Sequence, residues 1–381
     1  MGKRLYVIAG EASGDLHGAN LVRALLQHAD GEQLEVRAWG GDRMQAAGAH
    51  VVKHYRDLAF MGFTQVLMNL RTILRNIRAC KEDILRFRPD AIILIDYPGF
   101  NLRIAEFAHG QGIKVFYYIS PQVWAWKAGR AKTIKRVVDR MFVILPFEKD
   151  WYARHGMEVE FVGHPLLDAI GADELRAEGP DAPADARPVV ALLPGSRLQE
   201  IRRMLPAMLA MVPHFPDHRF VVAAAPAVPD ELYRALLGAV PAELAKDRTY
   251  GLLRQARAAL VTSGTATLET ALIGTPEAVC YSGGALNIWL AKRFIKVPFI
   301  SLVNLIMGRQ VVRELIQGEM KPAVLRAELQ RLLTDEAYIR RMQADLGELR
   351  RKLGGPGASA HVADQVWKSL RETPGGGRPG G

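Results

Sequence analysis

The sequence predicts an α/β fold with two doubly wound domains. Three observations support this prediction: short apolar runs alternate with longer stretches of helical periodicity, one segment interrupts the alternation at residues 171–188, and the alternation then resumes. The apolar runs are continuous, which is typical of parallel strands buried on both faces of a sheet. We therefore expect two Rossmann-like domains whose strand ends face a cleft, where ligands of such sheets bind.

The first domain is predicted to span residues 1–170. Helical periodicity between its apolar runs, for example from Leu16 to Gln27, completes a β-α-β pattern. Its predicted strands are residues 5–9, 35–39, 91–95, 114–119, 141–145 and 159–162.

Residues 171–188, GADELRAEGPDAPADARP, are predicted to be a linker, because they combine Ala, Asp, Pro and Gly without an apolar period. The second domain follows at residues 189–355. We expect helices to start at Glu200 and Thr267, with further helical stretches up to residue 257. The predicted strands are residues 189–193, 219–225, 258–262 and 277–281.

The C-terminal part is predicted to be helical from Pro322 to Leu370. We expect the helix at about residues 356–371 to complete the first domain. Residues 373–381, TPGGGRPGG, are predicted to be a disordered tail because they consist mostly of Gly and Pro.

The composition is that of an ordinary globular protein, with 49% hydrophobic and 24% charged residues in 381. Its two cysteines, Cys80 and Cys280, provide neither a disulfide framework nor zinc-ligand spacing, which fits a reducing compartment. The N-terminal residues lack the apolar segment of a signal peptide, and no apolar run reaches the roughly 18 residues of a membrane span. We therefore expect a cytoplasmic protein.

The net charge of +10 is concentrated in residues 71–140, which contain 14 Lys or Arg and 6 Asp or Glu. This surplus indicates either an anionic ligand nearby or a solvated basic face. No nucleic-acid motif accompanies it, so we expect no nucleic-acid partner. A dinucleotide enzyme is also disfavoured, because Gly10, Gly14 and Gly18 are spaced four apart, unlike G-x-G-x-x-G.

The turn after the first predicted strand reads GEASGD, residues 10–15. Glycine-rich turns at a helix N-terminus usually favour anions, because their main-chain N–H groups face the ligand. Glu11 and Asp15 would repel a phosphate at this turn. If the diphosphate binds to the turns of the second domain instead, these carboxylates can accept hydrogen bonds from sugar hydroxyls or from main-chain donors.

One turn of the second domain, LLPGSRLQEI at residues 192–201, carries an arginine after a strand. Arg197 follows Gly195 and Ser196, so it is placed either to contact a leaving diphosphate or to pair with Glu200 on the surface.

A second turn, LVTSGTATLE at residues 260–269, also suits a diphosphate, because it offers hydroxyls, main-chain N–H groups and a positive helix end. Thr267 is either a ligand of the diphosphate or only an N-cap. Glu269 either interacts with the helix dipole or binds ribose hydroxyls. The candidate residues are Ser263, Gly264, Thr265, Thr267 and Glu269.

Asp96 directly follows a buried predicted strand in DAIILIDYPGFNLRIA. A carboxylate at this position faces the expected cleft, and partial loss of hydration would raise its pKa towards that of a useful base. Alternatively, Asp96 caps the helix that starts near Asn101. Pro98 and Gly99 predict a tight turn that holds it in place.

The stretch YYISPQVWAWKAGR, residues 117–130, places Trp124 and Trp126 in one loop. Two indoles in a loop either cover a ligand, such as a sugar ring or an acyl chain, or plug the core beneath the loop.

Residues 58–81, LAFMGFTQVLMNLRTILRNIRACK, form an amphipathic pattern with a basic border. The pattern fits either an ordinary domain helix or a membrane-surface element, and the excess of apolar residues at its start favours membrane contact. The predicted membrane residues are Phe60, Met61, Phe63, Val66, Leu67, Leu70, Ile73 and Leu74.

In this order, these stretches resemble the lipid-A-disaccharide synthases, which are glycosyltransferases of the two-domain GT-B architecture. The resemblance extends from about residue 5 to residue 370. It rests on the motifs GEASGD, MGF, DYPGFN, SPQVWAW, LPFE, GHPLLD, LPGSR, SGTATLE and GRQVVREL.

The resemblance implies an inverting transfer from UDP-2,3-diacylglucosamine to 2,3-diacylglucosamine 1-phosphate (lipid X), which forms a β-1,6 bond and releases UDP. It implies Asp96 as the base and Arg197 as the residue that stabilises the departing diphosphate, with no metal and no other cofactor. The implied nucleotide-binding residues are Gly195, Ser196, Ser263, Gly264, Thr265, Thr267, Glu269, Asn304, Arg309 and Gln310. The implied acceptor-binding residues are Glu11, Ser13, Asp15, Asn101, Gln122, Trp124 and Trp126.

The resemblance further implies a homodimer with exchanged C-terminal parts, attached peripherally to the cytoplasmic face of the inner membrane, because acyl chains do not readily leave a bilayer. Three positions depart from the family pattern: Val303 replaces a usual Pro, Ser282 replaces a usual Lys or Arg, and Glu277 stands at a usually apolar strand position. The nearest alternative is another UDP-sugar enzyme of this architecture, such as a UDP-N-acetylglucosamine epimerase.

Overall fold

The computed structural model describes residues 2–29, 31–57, 70–126, 129–171, 187–226, 228–283 and 298–372. The chain divides into two compact units. Unit 1 is formed by residues 1–169 together with residues 355–381, and unit 2 by residues 170–354. Most of the predicted linker and the whole predicted tail lie outside the described residues.

Unit 1 contains a parallel sheet of seven strands. The strands are β1 (Lys3–Ala9), β2 (Leu34–Gly40), β3 (His50–His54), β4 (Ala91–Ile95), β5 (Lys114–Tyr118), β6 (Arg140–Val143) and β7 (Glu160–Phe161). Their spatial order is β3-β2-β1-β4-β5-β6-β7. The chain therefore reverses its direction of travel across the sheet between β1 and β4, which pair with Ala9 opposite Ile95.

Helices cover both faces of this sheet. They are α1 (Ala12–His28), α2 (Asp42–Ala46), α3 (Leu70–Phe87), α4 (Pro98–Gly110), α5 (Val123–Trp126), α6 (Arg130–Val137), α7 (Pro146–Ala153), α8 (Leu166–Ile170) and, from the far end of the chain, α16 (Ala358–Arg371). A short 3-10 helix, Tyr55–Asp57, follows β3.

The C-terminal helix α16 belongs to the core of unit 1. Val362, Val366 and Trp367 are buried in the cluster that α1 and one face of the sheet form. The Trp367 indole Nε1 donates a hydrogen bond of 3.0 Å to the main-chain oxygen of Leu25 in α1. The opposite face of the sheet packs against α3, α4 and α6 in a second cluster.

Helix α3 is attached to the sheet through a buried carboxylate. Asp83, 6% exposed, accepts two hydrogen bonds of 2.8 Å from the Arg37 guanidinium on β2 and one of 2.7 Å from the Tyr6 hydroxyl on β1. A bidentate, charge-assisted pair of this kind fixes geometry as well as adding stability. The C-terminal half of α3 is thereby held against the sheet.

Unit 2 contains a second parallel sheet, of six strands. The strands are β8 (Val189–Leu193), β9 (Arg219–Ala224), β10 (Ala242–Lys246), β11 (Ala256–Thr262), β12 (Glu277–Tyr281) and β13 (Arg313–Ile316), in the order β10-β9-β8-β11-β12-β13. The reversal lies between β8 and β11, which pair with Leu193 opposite Val261. The helices of unit 2 are α9 (Leu198–Leu209), α10 (Asp230–Leu237), α11 (Thr249–Gln255), α12 (Thr265–Ile273), α13 (Leu302–Met307), α14 (Pro322–Thr334) and α15 (Glu336–Leu353), with short 3-10 helices at Val212–His214 and Gln317–Glu319.

The predicted fold class is confirmed, and each predicted strand coincides with an observed one within a few residues. Three strands were missed: β3, β10 and β13. The prediction of helix up to residue 257 is wrong at β10, because Ala242–Lys246 pairs with β9. All three missed strands lie at a sheet edge, where one side is open and the sequence lacks the continuous apolar character of central strands.

No helix among the described residues is both long and apolar enough to cross a membrane.

Glu277 is an unusual feature of the unit 2 core. It is the first residue of β12 and is 0% exposed, and neither of its carboxyl oxygens has a hydrogen-bond partner among the described residues. Burial raises the pKa of Glu277 well above its ordinary value. Since a buried polar group without a partner costs free energy, this residue destabilises unit 2.

We predict that Glu277→Leu raises the free energy of unfolding of unit 2 by about 1–3 kcal/mol. The raised pKa favours the neutral form of Glu277 in the folded chain. In the unfolded chain, the same carboxyl ionises once the pH exceeds its ordinary pKa. Wild-type stability should therefore fall as pH rises from the unfolded pKa towards the folded one, and the gain from Glu277→Leu should grow. Urea unfolding at pH 5 and pH 8 measures this. The exposed Glu231 provides the control Glu231→Leu; an equal effect of both variants would contradict the prediction.

Candidate active site

The four motif turns lie at the two places where parallel-sheet proteins bind ligands. In unit 1, GEASGD follows β1 and Asp96 follows β4, and in unit 2, LPGSR follows β8 and SGTATLE follows β11. These strand pairs are the points at which each sheet reverses its winding. A crevice forms at the carboxyl ends of such strands because the adjoining helices leave on opposite faces. Each unit therefore has its own candidate site.

The main chain of Asp96 is held at both of its polar groups. Its N–H donates to the main-chain oxygens of Tyr118 (3.3 Å) and Ile119 (3.2 Å) at the end of β5. Its C=O accepts from the Tyr117 hydroxyl (2.6 Å) and from the Asn101 amide Nδ2 (2.7 Å). The peptide groups on both sides of Asp96 are thus fixed without using its carboxylate.

The backbone around Asp96 is strained. Asp96, Tyr97 and Ile119 have φ of 44°, 49° and 64°, in the left-handed region that non-glycine residues rarely adopt. Each such residue costs on the order of 1–3 kcal/mol and persists only where its surroundings enforce it. Three of them together at the ends of β4 and β5 indicate a geometry kept for function.

The half-buried carboxyl of Asp96 has the acidity of a base that works at neutral pH. Burial, assisted by the negative charge of Glu11, raises the pKa of Asp96 to about 7, although the Tyr97 main-chain N–H opposes the shift. A nearby like charge disfavours ionisation of a second carboxyl. The alternative that Asp96 caps α4 is not what the structure shows, because the N-cap is Tyr97, without a side-chain cap bond.

Asn101, predicted to bind the acceptor, lies inside unit 1, and its acceptor role stays a prediction. It is 0% exposed, and its Nδ2 donates to the main-chain oxygens of Ile95 (3.1 Å) and Asp96 (2.7 Å). A side chain so enclosed holds the end of β4. The complementary contact from Tyr117 was missed, because in the sequence that tyrosine is simply part of an apolar strand.

The GEASGD turn separates its two acidic residues. Asp15 is 3% exposed and accepts from the main-chain N–H groups of Gly41 (2.7 Å), Arg43 (3.2 Å) and Met44 (3.2 Å), so it caps α2. These contacts lie within unit 1, and acceptor binding by Asp15 stays a prediction. Glu11, at the N-terminus of α1, lies close enough to Asp96 to influence its pKa, and Ser13 is exposed.

Gly10 makes room for the residue after Asp96. A Cβ added to Gly10 would overlap the ring of Tyr97. The Tyr97 ring also stacks on the ring of Phe100, with centroids 5.6 Å apart and an interplanar angle of 27°. Burial and the charge of Glu11 raise the pKa of Tyr97. Tyr97 therefore packs β1 and α4 together beside the carboxylates.

The segment that follows β5, residues 119–126, includes the short helix α5 and is called the loop after β5. It is fixed by a contact with α7. Trp124 is half-buried, and its indole Nε1 donates to Glu148 (3.1 Å), which matches the interpretation of a core plug. Gln122 is exposed and remains a candidate acceptor contact. The side chain of Trp126 lies outside the described part of the structure.

Of the predicted membrane residues, two have described side chains. Ile73 is partly buried against the core of unit 1, whereas Leu74 is 51% exposed on α3. Arg71, Arg75 and Arg78 are exposed on the same helix. The remaining predicted positions, residues 60–67, and the side chain of Leu70 lie outside the described part.

In unit 2, the turn after β8 is organised by Glu200. Gly195 has φ of 107°, and the Glu200 carboxylate accepts from the main-chain N–H groups of Ser196 (3.2 Å) and Arg197 (3.3 Å). The Arg197 guanidinium is 3.1 Å from the same carboxylate and its side chain is 54% exposed. Arg197 is thus held at the start of α9 by a local pair while most of its surface stays accessible.

The turn after β11 presents a helix N-terminus to solvent. Helix α12 begins after Gly264 without a side-chain cap, and Gly264 and Thr265 are exposed, with Ser263 partly so. Thr267 is 0% exposed and its hydroxyl donates to the Gly264 main-chain oxygen (2.8 Å). This contact fits the local structural alternative, and nucleotide binding by Thr267 stays a prediction.

Glu269 lies on α12, one turn after this N-terminus. Its carboxylate accepts a hydrogen bond of 2.9 Å from the Tyr250 hydroxyl of α11. Tyr250 was not predicted as a site residue, since nothing in its sequence surroundings marks it. The carboxylate of Glu269 is thus oriented from a neighbouring helix.

Asn304 on α13 is held inside unit 2. It is 0% exposed; its amide donates to Val312 O (2.8 Å) and Glu314 (2.9 Å) and accepts from the N–H groups of Val311 (2.7 Å) and Val312 (3.0 Å). These contacts fix its side chain beside GRQVVREL, and its role as a nucleotide ligand stays a prediction.

The two polar residues after α13 are accessible. Arg309 is 44% exposed and pairs with Asp345 (2.6 Å) and Glu348 (2.9 Å) of α15. Gln310 is exposed. Both residues stay candidate nucleotide contacts.

Several solved structures share the fold of this chain at low sequence identity. The UDP-GlcNAc 2-epimerase from Neisseria meningitidis bound to UDP-GlcNAc has a TM-score of 0.66 at 14% identity, over 96% of this chain and 100% of that chain. The calicheamicin glycosyltransferase CalG4 has a TM-score of 0.60 at 18% identity, over 97% of this chain and 98% of that chain. At such low identity the likeness establishes the fold, which is the GT-B fold of glycosyltransferases and epimerases.

Sequence relatives define the family within this fold. The family model described as lipid-A-disaccharide synthetase matches residues 5–364. Proteins named lipid-A-disaccharide synthase are 41% identical in Trichlorobacter lovleyi, over 97% of this chain and 98% of the relative, and 39% identical in Myxococcus xanthus, over 96% and 97%. The chain belongs to the lipid-A-disaccharide synthetase family, and it is therefore a glycosyltransferase of lipid A biosynthesis.

We predict that Gly10→Ala disturbs the site by displacing the Tyr97 ring. Because the new methyl group would overlap that ring, unit 1 should lose about 1–3 kcal/mol of unfolding free energy. The same substitution in a Tyr97→Ala background should cost much less, since the obstructing ring is gone. Urea unfolding of the wild type, both single variants and the double variant measures this coupling. Equal costs of Gly10→Ala in both backgrounds would contradict the packing described here.

Proposed function

We propose that the protein transfers the 2,3-diacylglucosaminyl group of UDP-2,3-diacylglucosamine to the 6-hydroxyl of 2,3-diacylglucosamine 1-phosphate (lipid X). The acceptor oxygen forms a bond with the anomeric carbon, the bond from this carbon to UDP breaks, and the configuration inverts to β. The hydroxyl proton passes to a base, and UDP leaves with the electron pair. Membership of the family and the character of Asp96 support this proposal.

The single observation that carries the proposal is the environment of Asp96. Its main chain is anchored by Tyr117 and Asn101, and its pKa is raised to about 7. An efficient general base has a pKa near the working pH, because it must be ionised and yet able to accept a proton. Glu11, Ser13 and Gln122, near the same strand ends or on the following loop, are the proposed acceptor contacts.

UDP is proposed to bind in unit 2. The exposed N-terminus of α12, with Ser263, Gly264 and Thr265, offers main-chain N–H groups and the positive end of a helix to the diphosphate. Arg197 is proposed to turn from Glu200 to the diphosphate and to stabilise the negative charge that develops as UDP departs. Glu269, oriented by Tyr250, is proposed to bind ribose hydroxyls.

We further propose that the protein acts at the cytoplasmic face of the inner membrane, as a peripheral protein. Exposed Leu74 between Arg71, Arg75 and Arg78 supports this, because apolar and cationic groups together favour an anionic bilayer surface. A homodimer with exchanged C-terminal parts stays a prediction, which measurement of the molecular mass in solution tests.

The proposed reaction is tested by incubating radiolabelled UDP-2,3-diacylglucosamine with lipid X in detergent. We expect a labelled disaccharide 1-phosphate and stoichiometric UDP. Release of UDP or isomerised donor without disaccharide would overturn the proposed reaction in favour of another UDP-sugar enzyme.

Asp96→Asn is expected to lower kcat by about 10²–10⁴-fold with unchanged folding, because the amide cannot accept the proton. In the wild type, kcat/KM should rise with pH with a midpoint near 7, since the carboxylate form is the base. The exposed Glu106 on α4 provides the control Glu106→Gln, which should leave rate and midpoint unchanged. Near-normal turnover of Asp96→Asn would assign the base elsewhere.

Glu11→Gln should move the midpoint of this pH profile to lower pH. The negative charge of Glu11 contributes to the raised pKa of Asp96, so removing it lets Asp96 ionise more readily. A pH profile of kcat/KM for the variant measures the shift. An unchanged midpoint would show that the two carboxyls do not interact.

Arg197→Ala is expected to reduce kcat by about 10²–10³-fold if Arg197 stabilises the leaving diphosphate. The matched control is Arg202→Ala, which removes an exposed arginine from the same helix. A change in thermal stability without a change in rate would instead limit Arg197 to its pair with Glu200.

A further inference from the structure

The LPFE motif contains a buried carboxylate that the proposed reaction does not use. We propose that Glu148 of this motif is a positioning residue that fixes the loop after β5 and, through this loop, the main chain of Asp96. The inference rests on the proposed role of Asp96 as the base. It concerns residues that lie together in unit 1.

Glu148 joins two elements with its two oxygens. It is 1% exposed; one oxygen accepts from the main-chain N–H groups of Leu145 (3.0 Å) and Ile144 (3.3 Å), at the start of its own helix α7. The other oxygen accepts from the indole Nε1 of Trp124 (3.1 Å), in the loop after β5. One carboxylate thus ties the loop to the helix.

Two further contacts join α7 to the same loop. Tyr152, one helical turn after Glu148, has its hydroxyl 2.7 Å from Ser120 Oγ. Phe147 packs edge to face on Trp124, with centroids 4.9 Å apart and an interplanar angle of 89°. The loop is therefore held at Ser120 and again at Trp124, so the segment between them cannot shift freely.

The residues at the start of this loop accept the hydrogen bonds of the Asp96 main-chain N–H. Tyr118 and Ile119 supply the oxygens that accept from the Asp96 N–H, and Ile119 N donates to the Phe142 oxygen (3.1 Å). Ile119 also has the left-handed φ of 64° that turns the chain into the loop. Displacement of the loop at Ser120 would therefore rotate the peptide that receives the Asp96 N–H.

A buried carboxylate at position 148 indicates that this side chain serves to fix the geometry of the loop. Burial raises the pKa of Glu148 to about 7, against the favourable N–H contacts of Leu145 and Trp124. A neutral plug of similar volume would avoid the cost of burying this group. Three N–H donors converge on Glu148, however, and the two oxygens of a carboxyl group provide acceptor sites for all of them.

The test compares Glu148→Gln, Trp124→Phe and the double variant. Trp124→Phe removes the indole N–H and keeps an aromatic plug, so it isolates the contact. We expect each single variant to lose about tenfold in kcat, as one lost charge-assisted hydrogen bond would produce, and the double variant to lose no more than either. UDP binding, measured by calorimetry, should be unchanged because it is assigned to unit 2.

The pH profile distinguishes positioning from a general loss of stability. If the loop loosens, Asp96 gains hydration, and its midpoint in the kcat/KM profile of Trp124→Phe should move to lower pH, because burial is the main cause of its raised pKa. Lowered stability by itself would leave this midpoint in place. Glu106→Gln, an exposed carboxylate of the same unit, is the control.

The inference is overturned if both single variants have wild-type kcat and midpoint, or if their losses add in the double variant. If Glu148→Gln does not fold, as judged by circular dichroism, Trp124→Phe alone decides between these results. A wild type that forms no disaccharide would instead refute the proposed function. An active wild type whose variants equal it would refute only the positioning role.

Discussion

The site in unit 1 depends on how the ladder between β4 and β5 ends. The last pair of the two strands is Ile95 opposite Tyr118, and directly afterwards both chains enter left-handed conformations. The hydrogen bonds that would continue the ladder are replaced by contacts of the Asp96 peptide groups with Tyr117, Asn101 and the oxygens of residues 118 and 119. The left-handed conformations of Asp96 and Ile119 cost free energy, and they persist because all of these contacts enforce them together.

This anchoring explains why the carboxylate of Asp96 can be both buried and available. The main chain is fixed through its own N–H and C=O groups, so holding this residue in place does not use the carboxylate. Among the influences that set its pKa, burial and the like charge of Glu11 act in the same direction. Unit 2 follows a different principle at Arg197, whose guanidinium is held by a pair with the oppositely charged Glu200.

The sequence was sufficient to predict the fold class and the central strands, because strands buried on both faces have a continuous apolar pattern. It was insufficient at the edges: Ala242–Lys246 reads as helical by propensity, and pairing with β9 decides its conformation. Asp96 was predictable from its place after such a strand. Its supports were not, because Tyr117 is indistinguishable from other strand residues and Glu148 from other helical carboxylates.

Four predicted site residues share one physical feature. Asp15, Asn101, Thr267 and Asn304 are short polar side chains near strand ends or in the first turns of helices, where a ligand contact and a contact with the protein's own main chain require the same chemistry. The structure shows each of them buried and hydrogen-bonded to main-chain groups. Spacing in the sequence does not reveal these contacts, because they depend on the fold.

The return of α16 to unit 1 has a consequence for the order of folding during translation. Val362, Val366 and Trp367 fill part of the same core as β1 and α1, which are synthesised before unit 2. All of unit 2 is synthesised between these two parts of unit 1, and every strand of the unit 2 sheet comes from that one continuous segment. Unit 1 therefore cannot reach its final packing before unit 2 has been synthesised, and the apolar surface beneath α16 stays uncovered until residues 358–371 have been made.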